Sequence, residues 1–427
     1  MNSRLVASCI TAAVMGTATM SFGAGFKIAE QGAKAMAMGN AFAAQADDPS
    51  ALAYNPAGIA FQKGTQVQLG STTILVPQSD FQGTTRLSPT ATSEKANRDI
   101  FIAPTFYATT SMDSLPISFG LGINSFHPLA KRWDANSAFR DSIQSISVKP
   151  INFQPTVAYR FDDLKLAVAG GFDITYAQVS LQKMVYAPVQ NPSNGAIISP
   201  YGQYGTLGAD ATATGYGYNF GLQWKPLHNI SFGAAYRSKI KLGLEGDANF
   251  LPGTYGASLG QPKTTASTDI TLPDALTLGI AYKPTDKLTV EFDVERTGWS
   301  SYNELNLKFG TSLAVFNNNP AKKNWEDVWA YRFGTQYAIT PKIDLRAGYA
   351  YDTTPAPNDT VGPELPDADR HNFSVGTGFH NDLGSVDLAY MWVHWIDRTV
   401  TTPNSTGIAG TFKSDAYLFA AAVTLKF

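Results

Sequence analysis

Residues 288 to 295, LTVEFDVE, alternate strictly between apolar and polar side chains. In an extended chain successive side chains point to opposite faces, so this stretch has one apolar face and one acidic face. The apolar face consists of Leu288, Val290, Phe292 and Val294, and the acidic face of Glu291, Asp293 and Glu295. WAYRFGTQY (329–337) and DLRAGYAY (344–351) alternate in the same way. A soluble strand can show this pattern once, but its repetition is typical of a membrane barrel, whose strands face lipid on one side and a polar lumen on the other.

Candidate strands recur along the chain in a regular arrangement. Fourteen can be drawn, at roughly 65–75, 99–110, 116–124, 151–161, 164–183, 213–225, 229–242, 269–283, 287–308, 327–339, 342–353, 370–380, 384–396 and 414–427. The connections after even-numbered strands are short turns, and those after odd-numbered strands are long. Outer-membrane barrels alternate short periplasmic turns with long external loops. The sequence therefore predicts an all-β transmembrane fold, a 14-stranded antiparallel outer-membrane β-barrel over residues 65–427.

The first 23 residues predict a secretory signal peptide. They contain one basic residue (Arg4), an apolar run, and small residues at Ser21 and Gly23 that suit a cleavage site before Ala24. An N-terminal membrane anchor is the alternative, but the run is short and lacks stop-transfer charges. Cys9 is the single cysteine. We therefore expect a mature chain without disulfides or cysteine-bound metal.

Residues 24–64 differ from the strand pattern and contain DDPSALAYNPAGIA at 47–60. Asp48 can cap a short helix with Pro49 at its first position, and Asn55 before Pro56 is pushed out of the helical region. Gly58 then allows a positive φ. The preceding KAMAMGNAFAAQA predicts a helix of small residues that can pack in a confined space. Because fourteen strands enclose a bore that wall side chains alone do not fill, we expect residues 24–64 to form a helical hatch inside the barrel.

An external loop is predicted over residues 184–209, MVYAPVQNPSNGAIISPYGQYGTLGA, which contain no charge. We interpret it as an apolar surface that captures cargo, with candidate residues Tyr186, Ile197, Ile198 and Tyr201, and with Trp133 and Phe139 of the preceding long loop as partners. The alternative is that the flanking strands extend into the girdle region.

The last strand, AYLFAAAVTLKF, alternates and stops on Phe427. This ending resembles the terminal signature by which outer-membrane barrels are recognised, so we expect the barrel assembly machinery to be a partner.

Several longer stretches resemble the FadL-type long-chain fatty-acid and aromatic-hydrocarbon transporters of Gram-negative outer membranes. They are AGFKIAEQ (24–31), ADDPSALAYNPAG (46–58), INFQPTVAYRF (151–161), YRSKIKLGLEGDA (236–248), LPDALTLGIAYKPTDKLT (272–289), GWSSYNEL (298–305), RAGYAYDTTPAP (346–357) and LPDADRH (365–371). The resemblance covers essentially the whole mature chain. It implies passive uptake of a hydrophobic molecule, captured by external loops, moved past the hatch and released sideways through the barrel wall.

The same resemblance implies roles for three groups of residues. The mature N-terminus (Ala24, Gly25, Phe26) is expected near bound cargo. The hatch motif (Asn55, Pro56, Ala57, Gly58) is expected to hold the plug for a reason of its own, because Pro56 fixes a turn and the Asn55 side chain can bond neighbouring backbone or the wall. A kink in the third strand, in the region of Asn124, Phe126 and Pro128, is expected to open the wall. In this region the chain reads NSFHPLAKRWD (124–134), which differs from the PFGL-like segment often found in the family.

Other chemistry is disfavoured by composition and spacing. A net charge of -2 gives no support for nucleic-acid binding. The five histidines lack metal-ligand spacing, and we expect no cofactor and no metal. The acidic residues Asp352, Asp359, Glu364, Asp367 and Asp369 are expected on a solvated surface. Arg160, Arg237, Glu291, Asp293, Asp344, Arg346 and Asp387 are expected in the lumen, where they brace the hatch, hydrate a pore or bind a carboxylate headgroup, with bracing the default.

We therefore expect a monomeric, non-enzymatic transporter in the outer membrane, in contact with its lipid and lipopolysaccharide. A non-selective aqueous porin and an outer-membrane hydrolase are the alternatives. The cargo class, whether fatty acid, alkane or aromatic, stays open.

Overall fold

The structure is a computed structural model that describes residues 25–76, 79–112, 114–191, 193–311, 314–316 and 320–427. The predicted signal peptide (residues 1–23), Cys9 and Ala24 lie outside the described residues. Among the described residues, no helix is both long enough and apolar enough to cross a membrane.

Strands dominate the described chain. They are β1 (Thr65–Val76), β2 (Ser79–Thr84), β3 (Thr92–Lys95), β4 (Asp99–Ser111), β5 (Ile117–Asn124), β6 (Leu129–Arg132), β7 (Ser145–Phe161), β8 (Leu166–Gln190), β9 (Ile197–Leu227), β10 (Ile230–Arg237), β11 (Ile240–Pro252), β12 (Lys263–Leu272), β13 (Ala275–Thr285), β14 (Leu288–Thr297), β15 (Glu304–Leu305), β16 (Lys308–Phe309), β17 (Ala321–Lys322), β18 (Val328–Thr340), β19 (Ile343–Asp352), β20 (Arg370–Asn381), β21 (Gly384–Trp395), β22 (Arg398–Val400) and β23 (Ala409–Lys426). The helices are α1 (Ala33–Ala37), α2 (Ala51–Tyr54) and 3₁₀ turns at Pro56–Phe61, Ala257–Leu259, Trp299–Ser301 and Ala314–Phe316.

The predicted 14-stranded antiparallel barrel is confirmed. Neighbouring wall strands pair in sequence order, and β1 closes the wall by pairing with β23 from Gln66–Lys426 to Leu75–Tyr417. Four wall strands consist of two segments each, namely β5 with β6, β10 with β11, β12 with β13, and β14 with β16. β2, β3 and β22 extend the sheet around the upper half of β23.

Three strands predicted to be continuous are interrupted. The strand predicted over 229–242 breaks after Arg237, where Ser238 exchanges hydrogen bonds with Tyr218: the Ser238 N–H donates to the Tyr218 carbonyl, and the Ser238 hydroxyl accepts from the Tyr218 N–H, both at 2.9 Å. The strand over 269–283 breaks at Pro273, which has no N–H for a ladder. The strand over 287–308 breaks after Thr297, where a 3₁₀ turn begins.

The prediction of a loop over 184–209 is wrong, because most of this stretch is strand and the flanking strands extend as in the alternative. β8 and β9 continue as a hairpin through this region, with Val185 paired to Gly205 and Tyr186 to Gln203. The register shift between these two pairs marks a bulge at Tyr204. The uncharged stretch is therefore a β-hairpin, and residues 205–209 of its second strand also pair with β11.

The polarity of the wall reverses along its height. On β14 the inward side chains Glu291 and Asp293 are buried while Phe292 faces outward and is exposed. On β11 the order is opposite, because Ile240, Leu242 and Leu244 are buried while Lys241, between the first two, is exposed. The barrel thus has an apolar outer belt around a polar lumen. Above this belt, on the side of the long connections, the inner face of the wall is apolar.

The described part of the hatch, residues 25–64, is mostly buried inside the barrel. Its helix α1 is shorter than predicted, since Gly39 and Asn40 both have positive φ and end it. Small residues allow the hatch to approach the wall closely. A Cβ on Gly348 of the wall strand β19 would lie 2.0 Å from the Gly39 nitrogen of the hatch. The second helix, α2, also differs from the prediction. Its N-cap is Ser50, and the Asp48 carboxylate instead accepts a hydrogen bond from the Ser50 N–H at 2.9 Å.

Candidate functional site

Two wall carboxylates hold the middle of the hatch. The four consecutive backbone N–H groups of residues 42 to 45 donate to Asp293 and Glu291 of β14, over 2.6 to 3.0 Å. Asp293 receives the first two and Glu291 the second two. Both side chains are only 1% exposed. These four hydrogen bonds in a buried place anchor the hatch to one strand of the wall.

Asn55 joins two parts of the hatch to a second region of the wall. Its side-chain amide donates to the carbonyl of Ala43 at 2.7 Å and to the carbonyl of Leu222 in β9 at 2.9 Å. Its side-chain oxygen accepts from the Ala57 N–H at 3.2 Å and caps the 3₁₀ turn that starts at Pro56. Every polar atom of this buried amide group is therefore used.

Gly58 does not have the expected positive φ, so that prediction is wrong. The residue lies within the 3₁₀ turn, and a Cβ there would be 2.2 Å from the Ala46 carbonyl oxygen. Glycine is needed for this close approach of two hatch segments.

We expect Asn55→Ala to loosen the hatch and to alter uptake of labelled oleate while the barrel still folds. The substitution leaves buried carbonyls without their donor, at about 1–3 kcal/mol for each group. Heat-modifiable migration on gels monitors folding. Asn381→Ala, at the exposed end of β20, is the matched control. Unchanged uptake by the Asn55 variant would limit this residue to a structural role.

Phe26, near the start of the hatch, lies within a cluster of aromatic side chains. Its ring centroid lies 4.7 Å from that of Trp299, 5.9 Å from Trp325, 6.0 Å from Tyr302 and 6.2 Å from His127. We call these five residues the aromatic constriction. They come from the hatch, the β5–β6 break and the long connection between β14 and β18, so their meeting is a product of the tertiary fold.

Gly25 and Asp367 fix the position of this constriction. The Gly25 N–H donates to Asp367 at 3.1 Å, and the Thr354 hydroxyl donates to the same oxygen at 2.7 Å. Gly25 has a φ of 63°, and a Cβ there would lie 2.6 Å from the Trp325 ring. Burial raises the pKa of the Asp367 carboxyl to about 6. The expectation that Asp367 lies on a solvated surface is wrong, because the loop folds down onto the N-terminal segment.

An apolar cavity, here called the chamber, adjoins one side of the constriction. Phe26 and Tyr302 form part of its lining, and most of the remainder comes from the inward faces of the extended strands. Those strands contribute Val148, Val179, Leu181, Ala211, Leu242 and Leu244, among others. No charged side chain lines the chamber among the described residues.

A polar cavity adjoins the constriction near Lys27 and His127. Lys27 of the hatch pairs with Glu295 at 2.8 Å, and Arg332 joins Glu295 to Asp352 at 3.2 and 3.4 Å. Burial lowers the pKa of Lys27, and the Glu295 carboxylate opposes that shift. These ion pairs link the hatch to the wall and support the bracing role expected for charges in the lumen.

The other predicted lumenal charges are also paired. Arg237 pairs with Asp173, and Arg346 pairs with Asp387 and Asp344 at 2.6 and 3.2 Å. Arg160 pairs with Asp162 at 2.5 Å near the short turns.

The third wall strand is interrupted where the kink was predicted. β5 ends at Asn124 and β6 begins at Leu129, and the residues between them, including Phe126 and Pro128, are buried. The Phe126 carbonyl accepts from the hatch N–H of Ile28 at 2.8 Å. The Arg237 guanidinium lies 4.0 Å from the centroid of the Phe126 ring. The break is therefore turned inward, toward the hatch.

The wall beside this break lacks regular pairing. Residues of β4 and β5 pair from Ser111–Ser118 to Phe106–Ile123. Beyond the break, the contacts described are a hydrogen bond from the Asn97 N–H, before β4, to the Arg132 carbonyl of β6 at 2.9 Å, an isolated bridge at Ala96–Trp133, and an ion pair between Arg132 and Asp99 at 3.0 Å. No ladder pairing joins the described residues of the two strands between these points.

The predicted capture residues separate into two groups. Trp133 and Phe139 are 2% and 1% exposed and pack with Phe81 and Phe412 beneath the β2–β23 extension. Ile197 and Ile198, each 62% exposed, and Tyr201 lie on the β8–β9 hairpin. Tyr186 accepts a 2.7 Å hydrogen bond from Arg140. Trp133 and Phe139 thus do not share an open surface with the hairpin residues.

Comparison with known proteins points to one family. The family model described as outer membrane protein transport protein (OMPP1/FadL/TodX) matches residues 14–427. The long-chain fatty acid transport protein of Escherichia coli O6:H1 is 25% identical, over 96% of each chain. A Pseudomonas aeruginosa FadL homologue has the same fold, with a TM-score of 0.84, 21% identity and coverage of 95% of this chain and 100% of that one. The Ralstonia pickettii toluene transporter TbuX gives a TM-score of 0.70, 20% identity and coverage of 93% and 98%.

Proposed function

This chain belongs to the OMPP1/FadL/TodX family of outer-membrane transport proteins, and from that premise we propose that it takes up hydrophobic molecules by passive, ligand-driven displacement of its hatch. The proposed cargo is a long-chain fatty acid or a related hydrocarbon. A relative named as a long-chain fatty acid transport protein and a structural neighbour named as a toluene transporter support this range.

The uncharged chamber is the observation that carries the proposal. Above the apolar belt the wall turns apolar side chains inward, where an aqueous pore would need polar ones. Transfer of apolar surface from water into such a cavity is favourable by roughly 25 cal/mol per Å². The free energy of a hydrophobic molecule therefore falls when it enters the chamber, whereas that of a hydrated ion does not.

The aromatic constriction supplies the proposed gate. Phe26 lies between the chamber and the polar cavity near Lys27 and His127. Its position depends on the hydrogen bond from Gly25 to Asp367 and on the hydrogen bond from Ile28 to Phe126. Cargo that binds better when Phe26 is displaced shifts the population toward the open state without another energy source. We propose that the N-terminal segment moves and that residues 42–58 stay anchored.

The break between β5 and β6 supplies the proposed exit. Its inward turn leaves a stretch of wall without ladder pairing beside β4, and the outward faces of the neighbouring strands are apolar. We propose that cargo passes sideways through this stretch into the outer membrane. The exposed apolar residues of the hairpin, Ile197, Ile198 and Tyr201, are the proposed first contacts for cargo.

Ala211→Glu is expected to lower hydrophobic uptake by at least about tenfold, because it places a carboxylate in the chamber and burial of an unpaired charge costs several kcal/mol. The matched control is Thr212→Glu, which adds the same charge at the next residue of β9 but on the exposed outer face. Uptake of labelled oleate and toluene by cells that express each variant measures the effect. Equal uptake by the two variants would contradict a route through the chamber.

A further inference from the structure

A third cavity lies at the periplasmic end of the barrel, apart from the chamber, the polar cavity and the constriction. Its volume is about 430 Å³, within the range of small-molecule sites, which is roughly 300–1,000 Å³. Phe61 and Asp47 of the hatch form one side. The other side comes from the ends of wall strands and their short turns, with Arg160, Lys225 and Lys283.

Cations outnumber carboxylates around this cavity. Four cations line it, Arg160, Lys165, Lys225 and Lys283, with two carboxylates, Asp47 and Asp162. Both carboxylates are already engaged, Asp47 with Lys34 at 2.8 Å and Asp162 with Arg160. None of the three lysines forms an ion pair within the part of the chain that the structure describes.

Lys225 is held in the cavity by an aromatic ring. Its ammonium lies 4.0 Å from the centroid of Phe61, and the Arg160 guanidinium lies 6.0 Å from the same ring. The backbone N–H of Lys225 donates to the backbone carbonyl of Lys165 at 2.9 Å, and this hydrogen bond joins two of the turns. Cation–π contacts position a charge without neutralising it, so this cluster keeps its charge available.

We propose that this cavity binds the oxyanion headgroup of an amphiphile, a carboxylate or a phosphate, on the periplasmic side of the hatch. Lys225, Lys283 and Arg160 surround the oxyanion, and Phe61, Leu227 and Ala281 contact the adjoining carbon atoms. The bound anion relieves the mutual repulsion of the cations and ties the hatch to the turns. This site does not depend on the proposed transport route, since none of its lining residues belongs to the chamber or the constriction.

The first test is acetylation of lysines in the purified full-length protein in a nonionic detergent, read by mass spectrometry. The probes are inorganic phosphate, decanoate and dioctanoyl phosphatidylglycerol, each compared with chloride at equal ionic strength. We expect at least one probe to slow acetylation of Lys225, by about threefold at twice its Kd. Lys342 is the matched control, because it lies exposed in a short turn outside the cavity. Protection by decanoate alone assigns a carboxylate, and protection by the phosphate probes assigns a phosphate headgroup.

The second test is the thermal stability of Lys225→Met, which keeps a flexible apolar stem and removes the charge. We expect the effective probe to raise Tm of the unmodified protein and of Lys342→Met, but not of Lys225→Met. Without a probe, Lys225→Met should be at least as stable as the unmodified protein, since repulsion is reduced. A rate of Lys225 acetylation that no probe lowers relative to chloride, or lowers no more than that of Lys342, would overturn the proposal, as would a probe-dependent rise in Tm that survives in Lys225→Met.

Discussion

Replacement of both Glu291 and Asp293 by alanine should release the hatch from β14 and leave the barrel folded. The four N–H groups of residues 42 to 45 would lose their acceptors in a buried place, at about 1–3 kcal/mol each, or roughly 4–12 kcal/mol together. The wall itself should persist, because β14 pairs with β13 and β18 through its backbone.

Single-channel conductance in planar bilayers would measure the release. We expect frequent or permanent open events in the double variant and a largely closed channel in the unmodified protein. Asp344→Ala is the control, because Asp344 is also buried and faces inward but pairs with Arg346 of the wall. A closed channel in the folded double variant would show that other contacts suffice to hold the hatch.

The barrel could be predicted because its physical requirement repeats along the sequence. Each wall strand must present apolar side chains to lipid and polar ones to the lumen, so stretches such as 288–295 carry the pattern locally. The short turns carry a second local signal. Neither depends on knowing which distant residues touch.

The strand ends and breaks were harder to predict, since they depend on context. The lack of charge in residues 184–209 is compatible with a loop and with a β-hairpin. Only the pairing of β8 with β9 distinguishes these two conformations. The break at Ser238 depends on hydrogen bonds with Tyr218, twenty residues away in sequence. Pro273 was a visible signal, because a proline inside a predicted strand argues against continuity.

The contacts of the candidate site were the least predictable. Gly25 and Phe26 could be named from the family resemblance, but the acceptor of the Gly25 N–H, Asp367, lies 342 residues away. The sequence predicts Trp133 and Phe139 as partners of an apolar capture surface over residues 184–209. The fold instead covers them with the β2–β23 extension, whose position no local pattern indicates.

The central claim is that cargo passes only when the N-terminal segment of the hatch moves. A disulfide between cysteines at positions 28 and 126 would hold that segment, since the main chains of Ile28 and Phe126 already meet through a 2.8 Å hydrogen bond. The sequence has no other cysteine besides Cys9, which lies in the predicted signal peptide. Each single-cysteine variant serves as a control for the substitutions themselves.

Uptake of labelled oleate and toluene by cells with Ile28→Cys and Phe126→Cys, before and after reduction, is the most direct measurement. The disulfide is verified by mass spectrometry in the same cells. We predict that uptake falls to the level of cells lacking the protein while the disulfide is intact, and returns to the level of the single-cysteine variants after reduction. Undiminished uptake with the disulfide intact would contradict the claim that cargo displaces the N-terminal segment.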